Sequence, residues 1–260
     1  MTPLLQVTNL SKSYPIPGHW LNRQTLAALD PISFNIYAHK TLAIIGESGS
    51  GKSTLAKMLV GAEKPTTGQI KLNGQLLKHG KLRQRCQHIR MIFQDSGTTL
   101  NPNLTIYQLL DEPLTLNTKL NEKERSLLIR QTLQKVGLLA DHMSFYPHMF
   151  SGGQKQRISL ARAIILKPQV VILDEALAAL DPSLRSQMIN LLLDLQQQMG
   201  LAFILISHNL GIVRHFSDEM MVLCKGQVVE MGQTAQLLKQ PKHSYTKKLI
   251  MNQNFQLLHK

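Results

Sequence analysis

The stretch Thr41-Leu42-Ala43-Ile44-Ile45-Gly46-Glu47-Ser48-Gly49-Ser50-Gly51-Lys52-Ser53 reads as a buried strand running into a glycine-rich loop, with an amphipathic run from Thr54 to Val60 behind it. A continuous apolar run ending in glycine is the pattern of a core parallel strand. Residues 46–53 match the G-x-x-x-x-G-K-S phosphate-loop spacing, in the strand-loop-helix context that gives the motif meaning. Its glycines let backbone N–H groups converge on phosphate oxygens at a helix N-terminus. Lys52 would reach the β and γ phosphates, and the Ser53 hydroxyl would bind Mg²⁺. Gly46 through Ser53, with Thr54 in the first helical turn, are therefore the candidate nucleotide-binding residues.

Working outward, residues 170–173 and 202–206 are also continuous apolar runs, while residues 4–10 and 32–36 alternate as half-buried strands do. Helical patterns lie between the buried runs, so a parallel sheet follows. Asn121 with Glu124 opens one helix as a capping box, and Asp181-Pro182 opens another as cap and first turn. The apolar run 170–173 ends in Asp174-Glu175, at the carboxyl edge of the sheet where α/β folds bind ligands. Asp174 is expected to hold Mg²⁺ through water, and Glu175 to polarise the attacking water.

Ser151-Gly152-Gly153-Gln154 follows Phe150 and precedes an apolar helical run, 158–166. Small residues at a helix start expose N–H groups at its positive end, giving a second phosphate-reading site. Two such sites in a chain that binds one nucleotide imply that the second addresses a nucleotide held by another subunit. Dimerisation is the expectation.

Composition sets the bounds. With 43% hydrophobic and 17% charged residues, the chain has the balance of an ordered globular protein, not a disordered one. No apolar run approaches the roughly 18 residues that a membrane helix needs, and residues 1–6 lack the basic start of an export signal. Cys86 and Cys224 stand too far apart for a metal spacing, so both thiols are expected to be inert. The net charge is +13, with seven Lys or Arg and no acid in residues 64–94, and five Lys and no acid in residues 231–260. That excess reads either as a solvated basic face or as an attraction to nucleotide, nucleic acid or anionic headgroups.

The serine-glycine-glycine-glutamine stretch 151–154, taken with the phosphate loop and Asp174-Glu175, resembles the ABC ATPase family over essentially the whole chain. The resemblance implies an α/β P-loop NTPase cassette: a mainly parallel core sheet, an N-terminal antiparallel β lobe and an inserted α-helical subdomain. On that pattern the chain is a single ABC ATPase domain, 1–260. Residues 1–94 and 168–240 form the RecA-like core with the β lobe, 95–167 the helical subdomain with the signature, and 241–260 a basic C-terminal tail. It also implies roles for four singletons. Gln94 would link Mg²⁺ and the water to the permease, Asp181 would communicate across the dimer, His208 would contact the γ-phosphate, and Tyr14 would stack on adenine. His19 and Trp20 offer further aromatic surfaces near Tyr14. Three departures stand out: Phe150 for the usual leucine, Ala178 for serine and Asn209 for aspartate. None removes a group expected to touch phosphate, Mg²⁺ or water, so hydrolysis is expected.

Residues 93–102 and 241–249 are similar to those of the dipeptide and oligopeptide importer branch, and residues 116–118, 136–142 and 146–149 resemble its Sap-type members, associated with antimicrobial peptide uptake and resistance. The implied partners are a second, SapD-like ATPase, two transmembrane permease subunits and a periplasmic peptide-binding protein. The implied location is the cytoplasmic face of the bacterial inner membrane. No cysteine follows Cys224, so the iron–sulfur site of some relatives is not expected. Two other readings stay open: a non-transport ABC ATPase acting on nucleic acid or the ribosome, and a regulatory subunit without turnover. Against the first, the stretch between Lys52 and Ser151 leaves no room for the long coiled coil of DNA-repair relatives, and there is one cassette.

Overall fold

The computed structural model describes residues 2–16, 25–93, 100–178 and 180–258, the side chains as far as residue 252. In chain order the elements begin with β1 (Leu5–Pro15), β2 (Thr25–Ile36), β3 (Thr41–Ile45), α1 (Lys52–Val60), β4 (Thr67–Leu72) and β5 (Gln75–Leu76). There follow α2 (Leu82–His88), β6 (Ile89–Ile92), α3 (Ile106–Asn117), α4 (Glu122–Lys135), α5 (Gly152–Ile164), β7 (Val170–Asp174) and α6 (Pro182–Met199). The chain then runs through β8 (Ala202–Ile206), α7 (Leu210–Phe216), β9 (Glu219–Cys224), β10 (Gln227–Gln233), α8 (Thr234–Lys239) and α9 (Ser244–Leu258).

These elements form two compact units, residues 1–82 with 202–260, and residues 83–201. The first holds an antiparallel sheet in the order β2-β1-β4-β5 and the strands β10-β9-β3-β8. Within it β3 runs parallel to both β8 and β9, with Ile44 opposite Ile206 on one side and Met221 on the other. All five residues of β3 and all five of β8 are buried, which explains why neither alternates: each strand is covered on both faces. Two hairpins of this unit turn on paired positive-φ residues, Asn73-Gly74 between β4 and β5 and Lys225-Gly226 between β9 and β10. That combination matches the twist of the flanking strands.

The second unit pairs β6 and β7 in parallel, with Ile92 opposite Leu173, and is otherwise helical. The box at Asn121 closes as expected. Glu124 N–H donates to Asn121 Oδ1 at 3.0 Å, and Asn121 N–H to Glu124 Oε2 at 2.7 Å. Asp181 caps α6, its Oδ1 accepting Leu184 N–H at 2.9 Å, with Pro182 in the first turn. The helix expected over 158–166 instead begins at Gly152, so the signature residues form its first turns. Glycine's poor helix propensity hides that start in the sequence.

Candidate active site

In the first unit the chain leaves β3 through Gly46, whose φ is +152°. A Cβ there would lie 2.1 Å from the Leu223 carbonyl oxygen on β9, so only glycine fits. Gly51, at φ +105°, would bring a Cβ within 2.8 Å of the Ala28 carbonyl oxygen on β2. Gly51 also offers no side chain to cap α1, so the first-turn N–H groups, those of Ser53 and Thr54 among them, remain directed at whatever the loop encloses. Glu47, Ser48 and Gly49 are exposed on the loop, and Ser50 is buried beneath it. Lys52 is also buried. Its ammonium donates to the carbonyls of Gly46 at 2.8 Å and Glu47 at 2.7 Å, which hold a positive charge at the mouth of the loop.

Because β3 and β8 are parallel neighbours with Ile44 opposite Ile206, Gly46 and His208 leave the sheet side by side at its carboxyl edge. His208 is exposed just after the buried Ser207. Asn209, standing where the family has aspartate, caps α7 by accepting Ile212 N–H at 3.2 Å, a task either side chain performs. Tyr14 lies near the end of β1, opposite Leu26 on the strand pair that carries Ala28 toward Gly51. One face of its ring is covered by the Lys12 ammonium, 4.7 Å from the centroid. The first unit thus brings together the loop, His208 and the strand bearing Tyr14. His19, Trp20 and Gln94 lie outside the described residues, as does Ala179.

In the second unit β7 ends at Asp174, which is half-buried, and Glu175 follows with φ +51°. That left-handed conformation is unusual for a non-glycine residue and aims the carboxylate out of the strand's own alternation. Two residues that motif reading passes over hold the loop behind it. Gln156 on α5 donates to the Ala176 carbonyl at 3.0 Å. Arg185 on α6 donates to the carbonyls of Leu180 at 2.7 Å and Leu177 at 3.3 Å.

Ser151 is the N-cap of α5, and its capping box with Gln154 is closed in both directions, at 3.3 and 3.0 Å. The two glycines differ in purpose. A Cβ on Gly153 would press on Leu184 at 3.3 Å, whereas nothing lies within 4 Å of one on Gly152. Gly153 serves the packing of α5 against α6, and Gly152 leaves the exposed helix start open. Phe150, in place of leucine, is buried and meets the His142 ring edge-on at 5.1 Å, so its extra volume goes into an aromatic cluster with Phe145.

The family model for the ABC transporter matches residues 29–178, more than half of the chain. The chain belongs to the ABC transporter family. This ABC ATPase is 51% identical to the Salmonella typhimurium protein described as "Peptide transport system ATP-binding protein SapF", over 95% of this chain and 92% of that one. It is 52% identical, with the same coverage, to the Escherichia coli protein described as "Putrescine export system ATP-binding protein SapF". Among solved structures, cbiO1 of Clostridium perfringens, part of the cbiONQ transporter complex, superposes with a TM-score of 0.79 at 27% identity, covering 100% of this chain and 97% of that one. An ATP-binding cassette described as a dimer in a post-hydrolysis state, bound to ADP and Pi, superposes at 0.75 with 26% identity, covering 88% of this chain and 98% of that one.

Proposed function

We propose that this ABC ATPase powers a membrane peptide transporter of the Sap type, as one half of an ATPase dimer seated beneath two permease subunits. Identity of 51% across almost the full length of both chains to a SapF subunit described as part of a peptide transport system carries this reading. The partners follow from it: a SapD-like second ATPase, the two permeases and, indirectly, a periplasmic peptide-binding protein. A second reading, polyamine export, is favoured by the Escherichia coli relative described by putrescine export. Substrate choice belongs to the permease and binding protein. No described helix is long and apolar enough to cross a membrane, in keeping with a peripheral subunit on the cytoplasmic face.

The residues divide the work of ATP hydrolysis. The Gly46–Thr54 backbone and Lys52 hold the phosphates, and Tyr14 offers its free ring face to adenine. Glu175 accepts the proton of the attacking water, and His208 steadies the γ-phosphate. Ser151, Gly152, Gly153 and Gln154 read the γ-phosphate bound to the opposing subunit, and Asp181 reports across the same interface. Gln94, at the end of the core stretch 1–94, links the site to the permease; residues 168–240 complete the core and 95–167 form the helical subdomain. Ser53, Gln94 and Asp174 would supply the hard oxygen donors that Mg²⁺ takes. When bound, the ion would offset negative charge on the phosphates. Closure of the dimer on two ATP molecules switches the permease, and hydrolysis separates the halves.

The test is to purify the chain with its companions from membranes and measure ATP turnover, together with uptake of labelled peptide and export of labelled putrescine by the reconstituted complex. Glu175→Gln should cut turnover by about 10²- to 10⁴-fold with the complex intact. Unchanged turnover would mean that the partner ATPase does the hydrolysis. Recovery of the chain with nucleic acid or ribosomes, and without permeases, would sink the transport reading.

A further inference from the structure

The stretch 241–249, part of the family likeness, has no role in the chemistry above, yet it reaches the phosphate loop. Glu230 on β10 accepts the N–H groups of Lys242 at 2.8 Å and His243 at 3.1 Å, fixing the start of α9. In the first turn of α9, the Tyr245 hydroxyl oxygen accepts the Glu47 N–H at 3.0 Å, between residues 198 apart in the chain. This N–H shares one peptide unit with the Gly46 carbonyl, and the Gly46 carbonyl accepts from the Lys52 ammonium at 2.8 Å. Both ends of the Gly46–Glu47 peptide are therefore held, one by the phosphate-binding lysine and the other by the C-terminal helix. Gly46 lacks a Cβ to restrain that peptide's rotation, so the restraint falls to its hydrogen bonds. Burial, with Glu47 and Cys224 alongside, pushes the Tyr245 phenol's pKa up, so it stays neutral and accepts through a lone pair.

We propose that Tyr245 is a positioning residue for the nucleotide site: by fixing the Gly46–Glu47 peptide plane it fixes Lys52, and so makes phosphate affinity depend on the docking of α9. The helix following β10 is thereby a lever on ATP binding, with Glu230 as its anchor.

Calorimetric titration of the full-length chain with Mg-ATP, and separately with adenosine, tests this in wild type, Tyr245→Phe and Glu230→Gln. Phenylalanine keeps the ring and its packing and removes the hydroxyl's contacts with Glu47 N–H and the Cys224 thiol; loss of the neutral bond to Glu47 is worth about two- to tenfold in affinity. The expected result is a Kd for Mg-ATP raised by about that factor, with adenosine affinity and the thermal midpoint little changed. Glu230→Gln should weaken Mg-ATP binding less than Tyr245→Phe and add nothing to it in the double variant, because the two act in series. Wild-type ATP affinity in Tyr245→Phe would overturn the proposal. So would equal weakening toward adenosine, the sign of general loosening, or additive effects in the double variant.

Discussion

Gly46 and Gly49 stand in one loop, and a single methyl group should separate them. Gly49 has φ +79° with nothing within 4 Å of an added Cβ, so Gly49→Ala meets only the left-handed backbone cost, about 1–2 kcal/mol. Gly46→Ala drives a Cβ to 2.1 Å from the Leu223 carbonyl oxygen on β9, a backbone atom that cannot rotate away, and to 2.8 Å from Ser50 Oγ in the loop. A loss above about 4 kcal/mol is expected there. Urea unfolding of the two variants measures the difference, and equal losses would mean that β9 shifts freely. Glu175, at φ +51°, belongs to the same scale. Its conformation is fixed by Gln156 and Arg185 holding the following carbonyls, and no local motif announces it, since both partners come from other helices.

At the scale of elements, α9 is docked by a carboxylate that acid should release. Burial works to raise the Glu230 pKa, but the N–H groups of Lys242 and His243, which donate to it, help to hold it below its ordinary 4.5. A carboxylate depressed in the folded state contributes stability that is present above its unfolded value and lost as pH falls through the folded one. Wild type and Glu230→Gln should therefore differ in unfolding free energy at neutral pH and converge as the pH drops below 4.5. A pH-independent gap would assign the effect to packing. The elements most legible in the sequence are those with local signals: β3 and its loop, the Asn121 and Asp181 caps, and the buried runs of β7 and β8. Two local signals were available at positions that periodicity misses, the Ser151/Gln154 capping box at the true start of α5 and the Asn73-Gly74 hairpin turn. What a one-dimensional reading could not supply is pairing at a distance. β1 extends to Pro15 because β2 pairs with it as far as Thr25, while β4 pairs only to Ser11, with register shifts that break alternation, and Tyr245 meets Glu47 from the far end of the chain.

Over the whole molecule, 29 basic side chains face 16 acidic ones, so even complete internal pairing leaves a net charge of +13. The surplus must be neutralised by solution ions or by an anionic surface, and the proposed role would put a membrane within reach. The chain should bind vesicles containing anionic phospholipid and not neutral ones. Because the attraction is between exposed charges, it should decay with the screening length, about 10 Å at 0.1 M salt and about 3 Å at 1 M. Cosedimentation across that salt range distinguishes two origins. Binding that vanishes by 1 M salt, roughly where screening shrinks to contact distance, assigns the surplus charge to lipid attraction. Binding that persists would come from apolar contact, for which Leu139, Leu26, Met251 and Leu116 are among the exposed side chains. The basic stretches would then be a solvated face.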